Sequence, residues 1–234
     1  MKVSVIAPFY NEEEVAERVV LDILSALRTY GEFEFICVED ASTDNTGEIL
    51  KNLSINNKEL RVIETGRSLG YGNAIRRGLE AASGEIVGYI DGDGQVAPED
   101  MLRVLRLMNF TRAAKAKRVE RQDGWKRVIN SKIFNSLMFL FFGFLSSDVN
   151  AKPKFLKKED LQKMKLVSNG WFIDSELMLK AKKLGIKWEE IPIKFKKRKE
   201  GVSKVNLLSN AECLKNIFLW RVGRRIPLWQ KNIS

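Results

Sequence analysis

The 234-residue chain has no histidine, only two cysteines and five prolines. Without an imidazole, Ser-His-Asp and Cys-His nucleophilic catalysis, imidazole general bases and His-ligated zinc are excluded together. Cys37 and Cys213 lie far apart in apolar surroundings. They read as two reduced core thiols, not as a disulfide or a redox pair. A bilayer-spanning run is also missing: the uncharged stretch from Ile133 to Ser147 falls short of the ~20 residues such a helix needs. Met1 leads straight into "KVSVIAPFYNEEE", with neither a charged n-region nor an apolar h-region, so a signal peptide is not expected. Repeats and low-complexity segments are absent as well.

What is present begins with charge. The chain is 44% hydrophobic, enough for one substantial core, and its net charge of +10 is unevenly spread. Residues 1–100 hold 9 Lys and Arg against 19 Asp and Glu, whereas residues 101–234 hold 31 against 11. One half suits a cation and the other an anion.

Four short apolar runs, "VSVIA" (3–7), "FEFICVED" (33–40), "LRVIE" (60–64) and "EIVGYID" (85–91), alternate with helical patterns or turns. Val15, Val19, Ile23 and Leu27 share one helical face after the first run, and Asp44 or Ser42 is a candidate N-cap after the second. This alternation predicts βαβ units and an α/β, Rossmann-like, mostly parallel sheet flanked by helices. In such sheets ligands bind beyond the carboxyl ends of the strands. Pro8, Tyr10, Asp40 and Asp91 fall there.

After residue 100 the alternation weakens. A helix over 126–145 starts basic and ends very apolar, and another is expected over 173–184. A strand-like "KWEEIPIKF" then precedes the basic cluster 196–204. The end mixes Trp220 and Trp229 with Arg221, Arg224 and Arg225. Basic residues beside aromatics suit amphipathic, membrane-interfacial helices in the C-terminal half. The same composition also suits packing within a core or at a dimer interface.

The segment "GEIVGYIDGDGQVAPED" (84–100) ends a strand in Asp91 and Asp93, on a turn with Gly92 and Gly94. Paired carboxylates on a flexible turn suit a hard divalent cation such as Mg²⁺ or Mn²⁺, although "DG" is also an ordinary turn dipeptide. The later oxygen ligands and terminal Glu of a Ca²⁺ loop are missing.

The motifs "APFYNEE" (7–13), "VEDASTDNT" (38–46), "SLGYGNAIRRGLEAASGEIVGYIDGDGQVAPED" (68–100) and "RKEGVSK" (198–204) follow in order. Together they resemble the family 2 glycosyltransferases with the GT-A fold. Within that family they are most similar to the dolichol-phosphate mannose synthase and polyprenyl-phosphate glycosyltransferase branch. The resemblance implies nucleotide binding by Pro8, Tyr10, Glu12 and Asp40. It implies a metal and sugar diphosphate on Asp91, Asp93 and Gln95. Arg118 and Arg127 would be basic catalytic residues beside Asp93, and Glu176, Arg198, Ser203 and Lys204 the acceptor side. It also implies a GT-A domain over 1–204, with a nucleotide-binding half (1–100), an acceptor-binding half (101–204) and an amphipathic tail (205–234).

The expected reaction is metal-dependent inverting transfer of a hexose from a GDP- or UDP-linked sugar to dolichyl or polyprenyl phosphate. It is placed peripherally at the cytoplasmic face of the membrane, with no nucleic acid involved. A lipid monophosphate is already largely anionic at neutral pH, since its second pKa is ~6, and needs no general base. Three departures bear on sugar and acceptor identity: lysines in 148–159 where relatives have small residues, Glu200 in place of an arginine, and "GDG" around the second aspartate. Alternatives are a family 2 transferase using Asp174 or Glu176 as base on a saccharide hydroxyl, and a non-catalytic module binding polyanions or membranes.

Overall fold

The computed structural model describes residues 1–120, 122, 124–197, 207–223, 225, 226 and 229. Its elements run β1 (Val3–Phe9), α1 (Glu13–Arg28), β2 (Phe33–Glu39), α2 (Thr46–Asn56), β3 (Leu60–Glu64), α3 (Tyr71–Ala81), β4 (Ile86–Tyr89), α4 (Pro98–Leu107) and β5 (Ala113–Val119). They continue with α5 (Trp125–Phe142), β6 (Lys154–Lys157), α6 (Lys158–Met164), α7 (Ile173–Lys183), β7 (Glu189–Lys194) and α8 (Leu207–Arg221). The strands form one seven-stranded sheet in the order β3-β2-β1-β4-β6-β5-β7. All neighbours pair in parallel except β6, which runs antiparallel to both β4 and β5.

Apolar residues on successive strand positions serve opposite faces of the sheet. Val5 and Ala7 of β1, with Phe35 and Cys37 of β2, pack against Val19, Ile23 and Leu27 of α1 and Met101 and Leu105 of α4. Ile6, Ile36 and Val38 face the other way, onto Ala74, Ile75 and Leu79 of α3 and Ile173 and Leu177 of α7. Each such large side chain, fully buried, contributes about 2 kcal/mol of transfer free energy. Both cysteines are buried free thiols. A third apolar cluster joins Met138 of α5 to Phe172, Met178, Ile217 and Trp220.

Two local expectations shift. The α2 N-cap is Asn45, and Asp44 stands one residue earlier, its carboxylate accepting the Thr46 N–H at 3.0 Å. The apolar helix ends at Phe142 because Gly143 takes φ +71°, a left-handed conformation that β-carbon-bearing residues resist. Strand β6 is new relative to the sequence reading. Its four residues, Lys-Phe-Leu-Lys, carry a charge pattern that reads as surface, yet Lys154 is fully buried.

Candidate active site

The chain winds β1-β2-β3 to one side of the sheet and β4 onward to the other. The carboxyl ends of β1 and β4 therefore flank a switch point where α/β sheets bind ligands. At the end of β1, Asn11 adopts φ +50° and turns the chain into α1. Its side-chain carbonyl accepts the Thr43 N–H at 2.8 Å, while its own N–H donates to Ser42 Oγ at 3.0 Å. Glu12 is buried, and its N–H donates to Thr46 Oγ1 at 2.8 Å. Pro8 is the penultimate residue of the strand, and Tyr10, just after it, is 37% exposed. The two loops thus latch into a single rim.

Asp40 lies just after β2, buried, and its carboxylate organises the loop that leads into α3. Oδ1 accepts from Thr65 Oγ1 and the Leu69 N–H, both at 3.1 Å; Oδ2 accepts from Ser68 Oγ at 2.9 Å and the Gly70 N–H at 3.2 Å. The predicted nucleotide contact is therefore engaged as the anchor of the loop between β3 and α3.

The acidic turn follows β4. A β-carbon on Gly92 would lie 2.7 Å from the Pro8 carbonyl oxygen and 2.9 Å from the Phe9 ring. Gly94 sits at φ +69°. Glycine suits both positions: the turn is pressed onto β1 on one side of Asp93 and has a positive φ on the other. Asp93 Oδ1 accepts the Gln95 N–H at 3.0 Å. Gln95 is buried, and its amide nitrogen donates to the Lys196 carbonyl at 2.8 Å; the Lys196 N–H returns a bond to the Gln95 carbonyl. Of the Gln95 side chain, only Oε1 can serve a cation, because the amide nitrogen is a donor and is already engaged.

Asp91 is the hub. Tyr71 O–H donates to its Oδ1 at 2.8 Å, and the Lys152 ammonium lies 3.2 Å from the same oxygen. Lys152 also donates to the Tyr71 hydroxyl oxygen at 2.9 Å and stands 3.4 Å from Asp174 Oδ2. Asp174 Oδ1 in turn accepts from Tyr89 O–H at 2.6 Å and pairs with Lys154. Tyr71 stacks on Trp171 with ring centroids 4.6 Å apart.

The electrostatics follow from burial and neighbours. Burial pulls the Lys154 ammonium down to about 8 despite Asp174. It opposes the charge of Lys152 too, but Asp174 and Asp91 outweigh it and hold that pKa above the ordinary lysine value. Burial would raise the Asp174 carboxyl, yet the two lysines keep it below the usual carboxylate range. Burial, then the adjacent carboxylates, push the Tyr71 and Tyr89 phenols well up.

Arg118, at the end of β5, grips Asp148 with two bonds (Nε to Oδ2 at 2.8 Å, Nη2 to Oδ1 at 2.7 Å) and lies over the Phe195 ring. Arg127 is half-buried on the first turn of α5. Glu176 is engaged within the protein itself. It is wholly buried on α7, paired with Lys180 and accepting the Val167 and Ser168 N–H groups at 2.9 and 2.7 Å. It orders the loop that carries Trp171 to Tyr71. Arg198, Ser203 and Lys204 lie outside the described residues.

Sequence reasoning did not single out Tyr71, Tyr89, Lys152 and Lys154, and weighed Asp174 only as a base. The lysines of 148–159 were visible as a departure. Their burial was not, because lysine is almost never fully buried unless paired.

Asp91 and Asp93 offer hard oxygen donors on a short turn. Among the described residues no third acidic or thiol side chain completes a metal cluster. The donor set fits a divalent cation that takes its remaining ligands from a diphosphate and water.

A mostly parallel sheet with one antiparallel insertion, and a paired-aspartate turn at its switch point, define the GT-A architecture. The chain belongs to glycosyl transferase family 2, whose model matches residues 4–166. It is 28% identical over 223 residues to glycosyltransferase AglD of Haloferax volcanii, covering 89% of this chain and 35% of that one. It is 33% identical over 140 residues to the undecaprenyl-phosphate 4-deoxy-4-formamido-L-arabinose transferase of Proteus mirabilis, covering 58% and 43%. The chain therefore spans well under half the length of these relatives. Glucosyl-3-phosphoglycerate synthase of Mycobacterium tuberculosis, solved with Mn²⁺, UDP and glucosyl-3-phosphoglycerate, shares the fold. Its TM-score is 0.71 at 20% identity, covering 95% of this chain and 80% of that one. Mannosyl-3-phosphoglycerate synthase of Rubrobacter xylanophilus has a TM-score of 0.72 at 20% identity, covering 99% and 75%.

Proposed function

We propose that the protein transfers a hexose, with inversion, from a GDP- or UDP-linked sugar to a polyprenyl or dolichyl phosphate at the cytoplasmic membrane surface. The observation that carries this reading is the Asp91–Asp93 turn at the switch point of a family 2 chain. Asp91 and Asp93, with Gln95 Oε1, would hold Mg²⁺ or Mn²⁺, which when bound takes up charge on the departing diphosphate. Pro8, Tyr10, Glu12 and Asp40 shape the nucleotide side of the crevice. Arg118 and Arg127 draw the acceptor phosphate toward the donor against phosphate–phosphate repulsion, and the sequence of Arg198, Ser203 and Lys204 suits the same task.

A phosphate acceptor explains why no histidine is needed. The two carboxylates available as bases for a saccharide hydroxyl are poorly suited: Asp174 is locked between lysines and Glu176 is wholly buried. The acceptor class finds support in the undecaprenyl phosphate named for the Proteus relative and in several exposed apolar side chains. Ile133 (54%), Phe139 (62%), Leu140 (74%) and Phe144 (66%) on and after α5, with Phe218 (63%) on α8, are exposed. Among the described residues no helix is long and apolar enough to cross a membrane. Apolar residues on exposed helices suit the headgroup region.

The test is a donor screen with UDP- and GDP-hexoses, a short polyprenyl phosphate and Mg²⁺ or Mn²⁺. An acid-labile lipid-phosphate sugar, lost in Asp93→Asn with the fold intact, is the expected product. Glycosylation of a saccharide hydroxyl with no lipid product would overturn the acceptor assignment.

A further inference from the structure

The mechanism above gives no task to Lys152, although its ammonium pairs directly with Asp91 of the turn where a divalent ion is expected. Its Nζ lies 3.2 Å from Asp91 Oδ1, and its side chain is 9% exposed. It is fixed on three sides, by Asp91, by the Tyr71 hydroxyl at 2.9 Å and by Asp174 Oδ2 at 3.4 Å. Tyr71 is itself pinned by the Trp171 stack and by its own bond to Asp91. Lys152 is therefore not a surface arm that swings aside without cost. Oδ1 of Asp91 already accepts from two groups, so a cation would meet chiefly Oδ2.

We infer that Lys152 is a built-in counter-cation of the donor site, which weakens divalent metal binding to the protein alone and makes it depend on a nucleoside diphosphate arriving with it. The inference rests on the metal site proposed above. An ammonium on one oxygen of a carboxylate repels a dication on the other, at a distance where low-dielectric surroundings preserve the repulsion. A diphosphate reverses the balance, because its charge is attracted to metal and ammonium alike. Metal and nucleotide then favour each other's binding, by the reciprocity of linked equilibria. Asp174, already within 3.4 Å, is a second carboxylate onto which Lys152 can settle when Asp91 turns to the metal.

The test is calorimetric titration of Mn²⁺ into the whole chain, alone and with UDP or GDP, for the wild type, Lys152→Met, Lys152→Arg and Asp93→Asn. The expected result is weak Mn²⁺ binding to the wild type, tightened about tenfold or more by the preferred nucleotide. Lys152→Met should bind Mn²⁺ alone about tenfold more tightly than the wild type, with a smaller enhancement by nucleotide. Lys152→Arg, which keeps the charge, should stay close to the wild type. Lys152→Met binding no more tightly than the wild type overturns the inference. If that variant does not fold, Lys152→Gln takes its place. Failing both, equal wild-type affinity with and without nucleotide refutes the coupling. If Asp93→Asn leaves Mn²⁺ binding unchanged, the metal site itself is what fails; if Asp93 matters and Lys152 does not, only this inference falls.

Discussion

Replacing Asp174 with asparagine keeps the shape of the side chain and removes the anion shared by two buried lysines. The cost can be worked from the site. With Asp174 in place, Lys154 is already held at about 8 against an ordinary 10.5. That gap corresponds to about 3 kcal/mol against its charged form, at about 1.4 kcal/mol per pH unit. Without Asp174, Lys152 loses one of its two carboxylate partners and keeps only Asp91. Breaking a buried pair in this way costs about 3–5 kcal/mol, a large share of the roughly 5–15 kcal/mol that a domain has in total. The pH dependence has a definite sign. A buried lysine with a depressed pKa binds fewer protons folded than unfolded, so stability rises with pH between its folded value and 10.5. Asp174→Asn extends this behaviour to Lys152, whose pKa in the wild type is raised instead. Urea unfolding followed by tryptophan fluorescence should show the full deficit at pH 7 and a deficit smaller by at least about 1 kcal/mol at pH 9.5. A deficit below about 1 kcal/mol at pH 7, or one that widens at pH 9.5, would refute the reasoning.

Three further outcomes are expected. Burial opposes the charge of Glu34, but hydrogen bonds from Ser4, from the Ser83 N–H and hydroxyl, and from Arg61 outweigh it and bring its pKa to about 2 from 4.5. Its contribution is therefore present above pH 4.5 and lost as pH falls toward 2. Glu34→Gln, discounted for the half-exposed Arg61, should cost about 1–2 kcal/mol at pH 7 and progressively less in acid-unfolding comparisons at pH 3. Gly88→Ala would drive a β-carbon into the Phe155 ring and the Lys154 carbonyl. It should lower stability by about 1–3 kcal/mol, read as a lower melting temperature. Finally, Phe139→Glu with Leu140→Glu should reduce sedimentation with anionic lipid vesicles several-fold while leaving the melting temperature within about 2 °C, since both side chains are exposed.

Much of the first half is legible in the order of its amino acids. Short apolar strands, helix faces at 3.6-residue spacing and Asp91–Asp93 after an apolar run are local patterns, and β1 to β4 and the acidic turn stand where those patterns put them. What escapes such patterns is non-local. Strand β6 is four residues long and owes its existence to pairing with β4 and β5, which no local pattern encodes. Lys152 and Lys154 look like solvent-facing residues until Asp91 and Asp174 are brought to them from β4 and α7. Glu176 belongs to an acidic first turn in sequence, yet in three dimensions it holds the 167–168 backbone.

The pair of hydrogen bonds between Gln95 and Lys196 has a mechanical consequence. The stretch leaving β7 toward the basic "RKEGVSK" motif is rooted on the same few residues that present the aspartates. A tilt of the turn is therefore passed directly to residue 196, and the two segments move as a single joint.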